Sequence, residues 1–123
     1  VKCTACDYKT EVSDPPRVPP LPKCPVCNSL LRPGVVWFGE MLPQDVLAKT
    51  FEEVSKSDVI IVAGTSAVVQ PAASLPLIVK RGGGIIVEVN PSETPLSSIA
   101  DYRIQAPSSK LYELVEFIKQ ALP

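Results

Sequence analysis

Cys3-Thr4-Ala5-Cys6 and Cys24-Pro25-Val26-Cys27 place four thiols in two C-x2-C pairs with 17 residues between them. Two intervening residues let the backbone turn tightly enough for both sulfurs of a pair to face one centre. Two such knuckles supply the tetrahedral thiolate set that zinc takes, at about 2.3 Å per bond. Four protein ligands leave no open position, so Cys3, Cys6, Cys24 and Cys27 point to a structural Zn2+ rather than a catalytic one. The same residues admit two disulfides, a four-sulfur iron centre or a thioredoxin-like redox pair. Matched pairs at ribbon spacing favour one shared zinc ion. No leading basic-then-apolar stretch of the secretory kind supports disulfide-forming surroundings, and we expect a cytoplasmic protein.

Three further clusters carry polar groups beside an apolar run. Gly64-Thr65-Ser66 follows residues 58–63, Asn90-Pro91-Ser92 follows 85–89, and Ala106-Pro107-Ser108 follows 102–104. A glycine lets backbone approach a ligand, hydroxyls can hydrogen-bond ribose or phosphate, and an Asn amide can hold a sugar hydroxyl or an adenine edge. Small-residue turns between strands and helices look the same. Neither G-x-G-x-x-G nor G-x-x-x-x-G-K-[ST] occurs, so a pyrophosphate loop is not among these residues. Trp37-Phe38-Gly39-Glu40 either packs in a core or lines an apolar slot beside backbone that could pair with an extended peptide. The chain has no histidine, which removes the commonest general base at neutral pH.

These groups need elements to hold them. Residues 1–33 contain every cysteine and half of the 14 prolines. They have too few apolar runs to build a core, and Asp14 to Pro22 must be extended or turning, since proline lacks an N–H and restrains its predecessor. Metal would substitute for the core of this zinc-binding module. Residues 34–123 alternate strand and helix signals. Val35 to Phe38 reads as a short strand. Pro43 to Ser57 has helical spacing, with Val46, Leu47, Thr50, Phe51 and Val54 opposite Lys49, Glu52, Glu53 and Lys56. The apolar run 58–63 is expected of a strand buried on both faces. Pro71 to Arg81 reads as a helix ended by Gly82-Gly83-Gly84, with Pro76 either kinking it or lying in its first turn. Ile85 to Val89 is the next buried strand and Tyr102 to Ile104 a short third. Ser108 or Ser109 would cap a closing helix through Ala121, with Leu111, Leu114, Val115, Ile118 and Leu122 as its stripe.

Strands separated by helices in this order imply parallel crossovers. Three strands are few for an open sheet. The expected fold class is therefore α/β: half of a Rossmann-like doubly wound parallel sheet with a small four-cysteine zinc-ribbon module. Ligands of such sheets bind outside the carboxyl ends of the strands, where the three polar clusters fall.

Composition narrows the partners. At 123 residues there is room for one domain with an appendage. A hydrophobic fraction of 46% suffices for a core and excludes global disorder. No apolar run approaches a membrane span, so no membrane partner is expected. A net charge of −1 with mixed signs gives no support to nucleic-acid binding. The first residue is Val1 rather than Met, which leaves open that the chain is part of something longer.

Together these residues resemble the sirtuins, NAD-dependent protein-lysine deacylases. The carriers are the C-x2-C pairs, then Leu31-Arg32-Pro33-Gly34-Val35-Val36-Trp37-Phe38-Gly39-Glu40-Met41-Leu42-Pro43, then Val62-Ala63-Gly64-Thr65-Ser66-Ala67-Val68-Val69-Gln70-Pro71-Ala72, then Glu88-Val89-Asn90. Their order matches over the whole chain, and the Val-Val-Trp-Phe-Gly-Glu form resembles prokaryotic and archaeal members near the desuccinylase class.

The resemblance implies roles. The cysteines would hold the family's structural zinc. Gly64, Thr65, Ser66, Asn90, Pro91, Ser92 and Ser108 would contact the adenosine side of NAD. Val36, Trp37, Phe38, Gly39 and Glu40, with Val68 and Val69, would line the cleft that takes an acyl-lysine protein or peptide. The family's Asn-x-Asn loop reads Glu88-Val89-Asn90 here, so only the second Asn is carried over. The reaction it implies transfers the acyl group from lysine to ADP-ribose and releases nicotinamide. The family's glycine-rich loop, nicotinamide-pocket segment and catalytic His precede the first knuckle, so no catalytic residue is assigned in this chain. Two readings follow. One is the C-terminal half of a deacylase, inactive alone, whose partner is the missing N-terminal half of the fold or a second copy. The other is a catalytically inactive zinc-ribbon fragment that binds a nucleotide or a partner.

Overall fold

A computed structural model describes residues 1–12 and 19–121. Much of the proline-rich stretch expected to be extended or turning, and Leu122 of the expected helix stripe, lie outside the described residues. Two compact units, Val1–Pro43 and Gln44–Pro123, follow one another along the chain. Residues 34–43 thus pack with the cysteine-bearing unit, beyond the composition shift near residue 33.

The first unit has little regular structure, as its proline content dictates. Strands β1 (Lys2–Cys3) and β2 (Leu31–Arg32) pair antiparallel, with Lys2 opposite Arg32 and Cys3 opposite Leu31. The N-terminal end is tied to Thr10 by two hydrogen bonds, from the Val1 amine to Thr10 O (2.8 Å) and from Thr10 N–H to Val1 O (3.1 Å). The short strand expected at Val35–Phe38 is not formed. Trp37 to Glu40 instead turn back on themselves, with the Glu40 N–H donating to Trp37 O at 3.0 Å. Gly39 at φ +87° occupies the left-handed position such a turn needs, and its presence there ends any strand. Core packing of the aromatic pair is also not observed: Trp37 is 51% and Phe38 91% exposed.

The second unit is a three-stranded parallel sheet in the order β3 (Val59–Ala63), β4 (Ile85–Val89), β5 (Tyr102–Ile104). Helix α1 (Gln44–Ser55) packs on α2 (Leu75–Arg81), and α2 packs on β3 and β4. Leu47, Thr50, Phe51 and Val54 of α1 are half-buried, whereas Val46 is exposed. The 3-10 turn Ala72–Ser74 precedes α2, so the helix starts later than its spacing suggests and Pro76 lies in its first turn, where a missing N–H costs nothing.

β4 lies centrally, and Ile86, Glu88 and Val89 are buried with Val79 of α2. The apolar run of β3 predicts cover on both faces. Val59 (50%) and Ile61 (43%) are instead exposed, because β3 is an edge strand and only its alternate residues face the packed side. β4 and β5 are joined by turns around Thr94–Ile99 rather than by a helix. A final 3-10 turn, Ser108–Lys110, leads into α3 (Leu111–Ala121). Pro107 caps that 3-10 turn without a side-chain bond, and Ser108 and Ser109 lie inside the turn rather than at its cap. None of α3 is fully buried.

Candidate functional site

The thiols converge. Cys3 and Cys24 each donate their N–H to the carbonyl five residues on, Tyr8 and Ser29, both at 2.8 Å, so the two knuckles close in the same way. Asn28 adopts φ 60° and donates its N–H to Cys24 O at 2.9 Å, bending the second knuckle back. The Ala5 N–H donates to Cys3 Sγ at 3.3 Å. All four sulfurs lie within 4.8 Å of one another. Cys3 and Cys27 are 3.4 Å apart, Cys6 and Cys24 3.7 Å. Tetrahedral zinc with bonds of about 2.3 Å needs sulfur–sulfur edges of about 3.8 Å. The set therefore fits one zinc ion, with an amide N–H already turned toward a ligand sulfur.

Electrostatics makes the same demand. Hydrogen bonds from the Ser29 hydroxyl and N–H, with Cys3 adding to them, lower the Cys27 thiol to about 6. At Cys6 the Tyr8 N–H pulls downward, but desolvation and the neighbouring thiols outweigh it and push the thiol up to about 12. Four sulfurs this close cannot all be thiolates without a cation among them.

In the same unit Glu40 organises the aromatic turn. Its carboxylate accepts from the Trp37 N–H at 3.1 Å, from Lys2 Nζ at 3.4 Å and from Arg32. The Trp37 hydrogen bond, with the charges of Arg32 and Lys2, holds the Glu40 carboxyl below its ordinary value. Arg32 also stands over the Trp37 ring, 4.2 Å from its centroid. Trp37, Phe38 and Val36 thus project from a tied turn.

In the second unit the carboxyl ends of the three parallel strands surround a cleft of about 480 Å³. Gly64, Thr65 and Ser66 line it after β3, Asn90, Pro91 and Ser92 after β4, and Ser108 beyond β5. Gly64 has φ +64° and its N–H donates to Val89 O at 3.0 Å. A Cβ there would lie 2.7 Å from Ser108 Oγ, so only glycine lets the first and third loops meet. Asn90 joins the first and second loops. Its Nδ2 donates to Thr65 O at 2.7 Å, and its Oδ1 accepts from the Ser92 N–H at 3.1 Å. One amide N–H and one lone pair of Asn90 remain for a ligand. The space, of nucleoside size, is lined by the hydroxyl-bearing Thr65, Ser66, Ser92, Thr94 and Ser108 and by Asn90, together with prolines, a mixed polar and apolar lining suited to ribose and an adenine ring. Val68 and Val69 lie exposed just beyond, after Ala67 at φ 53°.

Reading the chain for strand-end polar clusters does not single out Glu93, Thr94 and Pro95, which also line the cleft. Their position in the same loop as Asn90 is the signal that could have found them. Nor does it anticipate that Glu88, 1% exposed, anchors that loop.

The family model described as Sir2 family matches residues 1–71. The chain is 62% identical over 123 residues to NAD-dependent protein deacylase 1 of Archaeoglobus fulgidus, covering 99% of this chain and 50% of that protein. A crystal structure of a Sir2 homolog–NAD complex superposes with a TM-score of 0.91 at 61% identity, covering 99% of this chain and 48% of the other. Sir2Tm bound to a propionylated peptide superposes with a TM-score of 0.79 at 38% identity, covering 97% and 52%. The chain spans about half the length of the curated relatives it matches.

Proposed function

Because this chain belongs to the Sir2 family, we propose that its strand-end cleft holds the adenosine side of NAD and that it forms part of an NAD-dependent protein-lysine deacylase. The observation that carries this reading is the closure of three strand-end loops around one nucleoside-sized space, through the Gly64–Ser108 approach and the Asn90–Thr65 bond. Bound NAD would supply a ribose carbon open to attack by the acyl oxygen of the lysine amide, with nicotinamide as the leaving group. Gly64, Thr65, Ser66, Asn90, Pro91, Ser92 and Ser108 bind and orient the adenosine end. Val36 to Glu40 in the first unit, and separately Val68 and Val69 in the second, are candidates for contact with an acyl-lysine peptide, the kind of ligand in the propionylated-peptide complex of a relative. Cys3, Cys6, Cys24 and Cys27 hold zinc and keep the aromatic turn in place. Thiols kept free for a metal suit the reducing cytoplasm.

A second reading, a module that binds and catalyses nothing, is favoured by one observation: the chain contains no histidine and so no imidazole base. We reconcile the two by proposing that these residues bind without turning over on their own. Calorimetric titration with ADP-ribose tests the binding half, and its failure removes the nucleotide reading. Incubation with NAD and an acyl-lysine peptide tests the other half: we expect no free lysine product, and turnover by this chain alone would overturn that expectation.

A further inference from the structure

We infer that Glu88 is a positioning residue for the nucleotide cleft: its buried carboxylate takes the hydroxyl protons of Thr94 and Ser97 and thereby sets the shape of the Asn90–Pro95 loop. The inference rests on the reading of that cleft as a nucleotide site. Glu88 sits near the end of β4 with 1% of its surface exposed. A carboxylate so placed is costly unless its oxygens are satisfied. One oxygen accepts from Thr94 Oγ1, and the other accepts from Ser97 Oγ at 2.6 Å. Arg103, in register with Glu88 on β5, brings its Nε to 3.6 Å and spans on to Glu93 with Nη1 at 2.7 Å.

The direction of these bonds is the point. A hydroxyl has one proton. Because Thr94 and Ser97 both donate theirs to Glu88, their lone pairs are free to accept backbone N–H groups. The Leu96 N–H donates to Thr94 Oγ1 at 3.1 Å, and the Thr94 N–H donates to Ser97 Oγ at 2.9 Å. An acceptor-only group on both sides is what this pattern requires. A Gln in its place offers one acceptor and one donor, so one of the two hydroxyls must accept from the amide N–H instead of donating, and its own proton loses the charged acceptor it has in the parent chain. The loop so held contributes Asn90, Glu93, Thr94 and Pro95 to the cleft, whereas Glu88 and Ser97 do not line it. Their influence on a ligand must pass through the loop.

The test is titration of ADP-ribose into the 123-residue chain and into its Glu88→Gln, Ser97→Ala and combined variants, with hydrogen exchange at the Thr94 and Leu96 amides read in parallel. We expect each single variant to weaken binding about tenfold, the scale of one lost charge-assisted hydrogen bond. The pair should cost little more than either alone, because both act through one link. Exchange at the two amides should accelerate, while amides of β3 and β4 stay protected. Wild-type affinity in both single variants, or full additivity in the pair, overturns the inference. If Glu88→Gln does not fold, Ser97→Ala carries the test with the carboxylate intact. If the unaltered chain takes up no ADP-ribose, the nucleotide reading falls, and unchanged exchange at Thr94 and Leu96 in the variants would sink the positioning role separately.

Discussion

Gly64 and Ser108 meet closely enough that one methyl group decides whether the cleft exists. Gly64→Ala must hold a left-handed backbone, at about 1–2 kcal/mol, and must also displace Ser108. We expect a lower melting temperature and loss of ADP-ribose binding. Ser108→Gly added to it should recover part of the binding but not the backbone cost. A Gly64→Ala chain that melts and binds like the parent would refute this contact. Asp101 illustrates a charge that serves folding. Lys80 and then the Ile86 N–H, at 2.8 Å, hold its carboxyl below the ordinary 3.8. A depressed folded value means that the contribution is complete above 3.8 and is lost as pH falls through the folded value. Asp101→Asn should therefore lower the melting temperature at neutral pH and flatten its acid decline. A parallel shift of the whole curve would contradict that assignment.

At the scale of elements, the first unit is expected to depend on a metal held by its four cysteines and the second, which carries no such cluster among its described residues, is not. β1 and β2 contribute two residues each, and among the described residues of this unit Cys3 and Cys24 alone are buried apolar side chains. Structural zinc stabilises small modules by about 10–16 kcal/mol, far more than so short a ladder can supply. Elemental analysis should find one zinc per chain, and Cys24→Ser should abolish it. Chelation should shift the emission of Trp37, the chain's single tryptophan, as Arg32 and Glu40 release their turn. The circular dichroism of α1 and α2 should persist. Unchanged emission after verified metal loss would show that the turn stands without the ion.

Across the whole molecule, apolar surface is plentiful. Tyr112, Val115, Phe117 and Ile118 of α3 and Val59 and Ile61 of β3 are all open to solvent. Water disfavours such surface, and in a solution of this chain alone the available cover is another copy. Light scattering should report association that rises with concentration and falls in a Phe117→Lys, Ile118→Lys variant. A strict monomer at every concentration would mean that these side chains do not form a sticky face. Among the described residues no helix is long and apolar enough to cross a membrane.

The cysteine spacing, the parallel order of the three strands and the strand-end location of Gly64, Asn90 and Ser108 are all legible in the linear chain. Each depends on local geometry or on periodicity, which residue order alone encodes. Several features are not. Trp37 and Phe38 have strand-forming chemistry, yet Gly39 and the Glu40 carboxylate, reached by Lys2 from far along the chain, make a turn of them. β3 reads as doubly buried, but exposure is set by where a strand sits in the sheet, and no run of letters records that. Glu88 reads as an awkward charge in an apolar strand. Only the folded chain brings Thr94, Ser97 and Arg103 to its carboxylate, because those partners arrive through the return of the chain to β5 and not through any spacing along it.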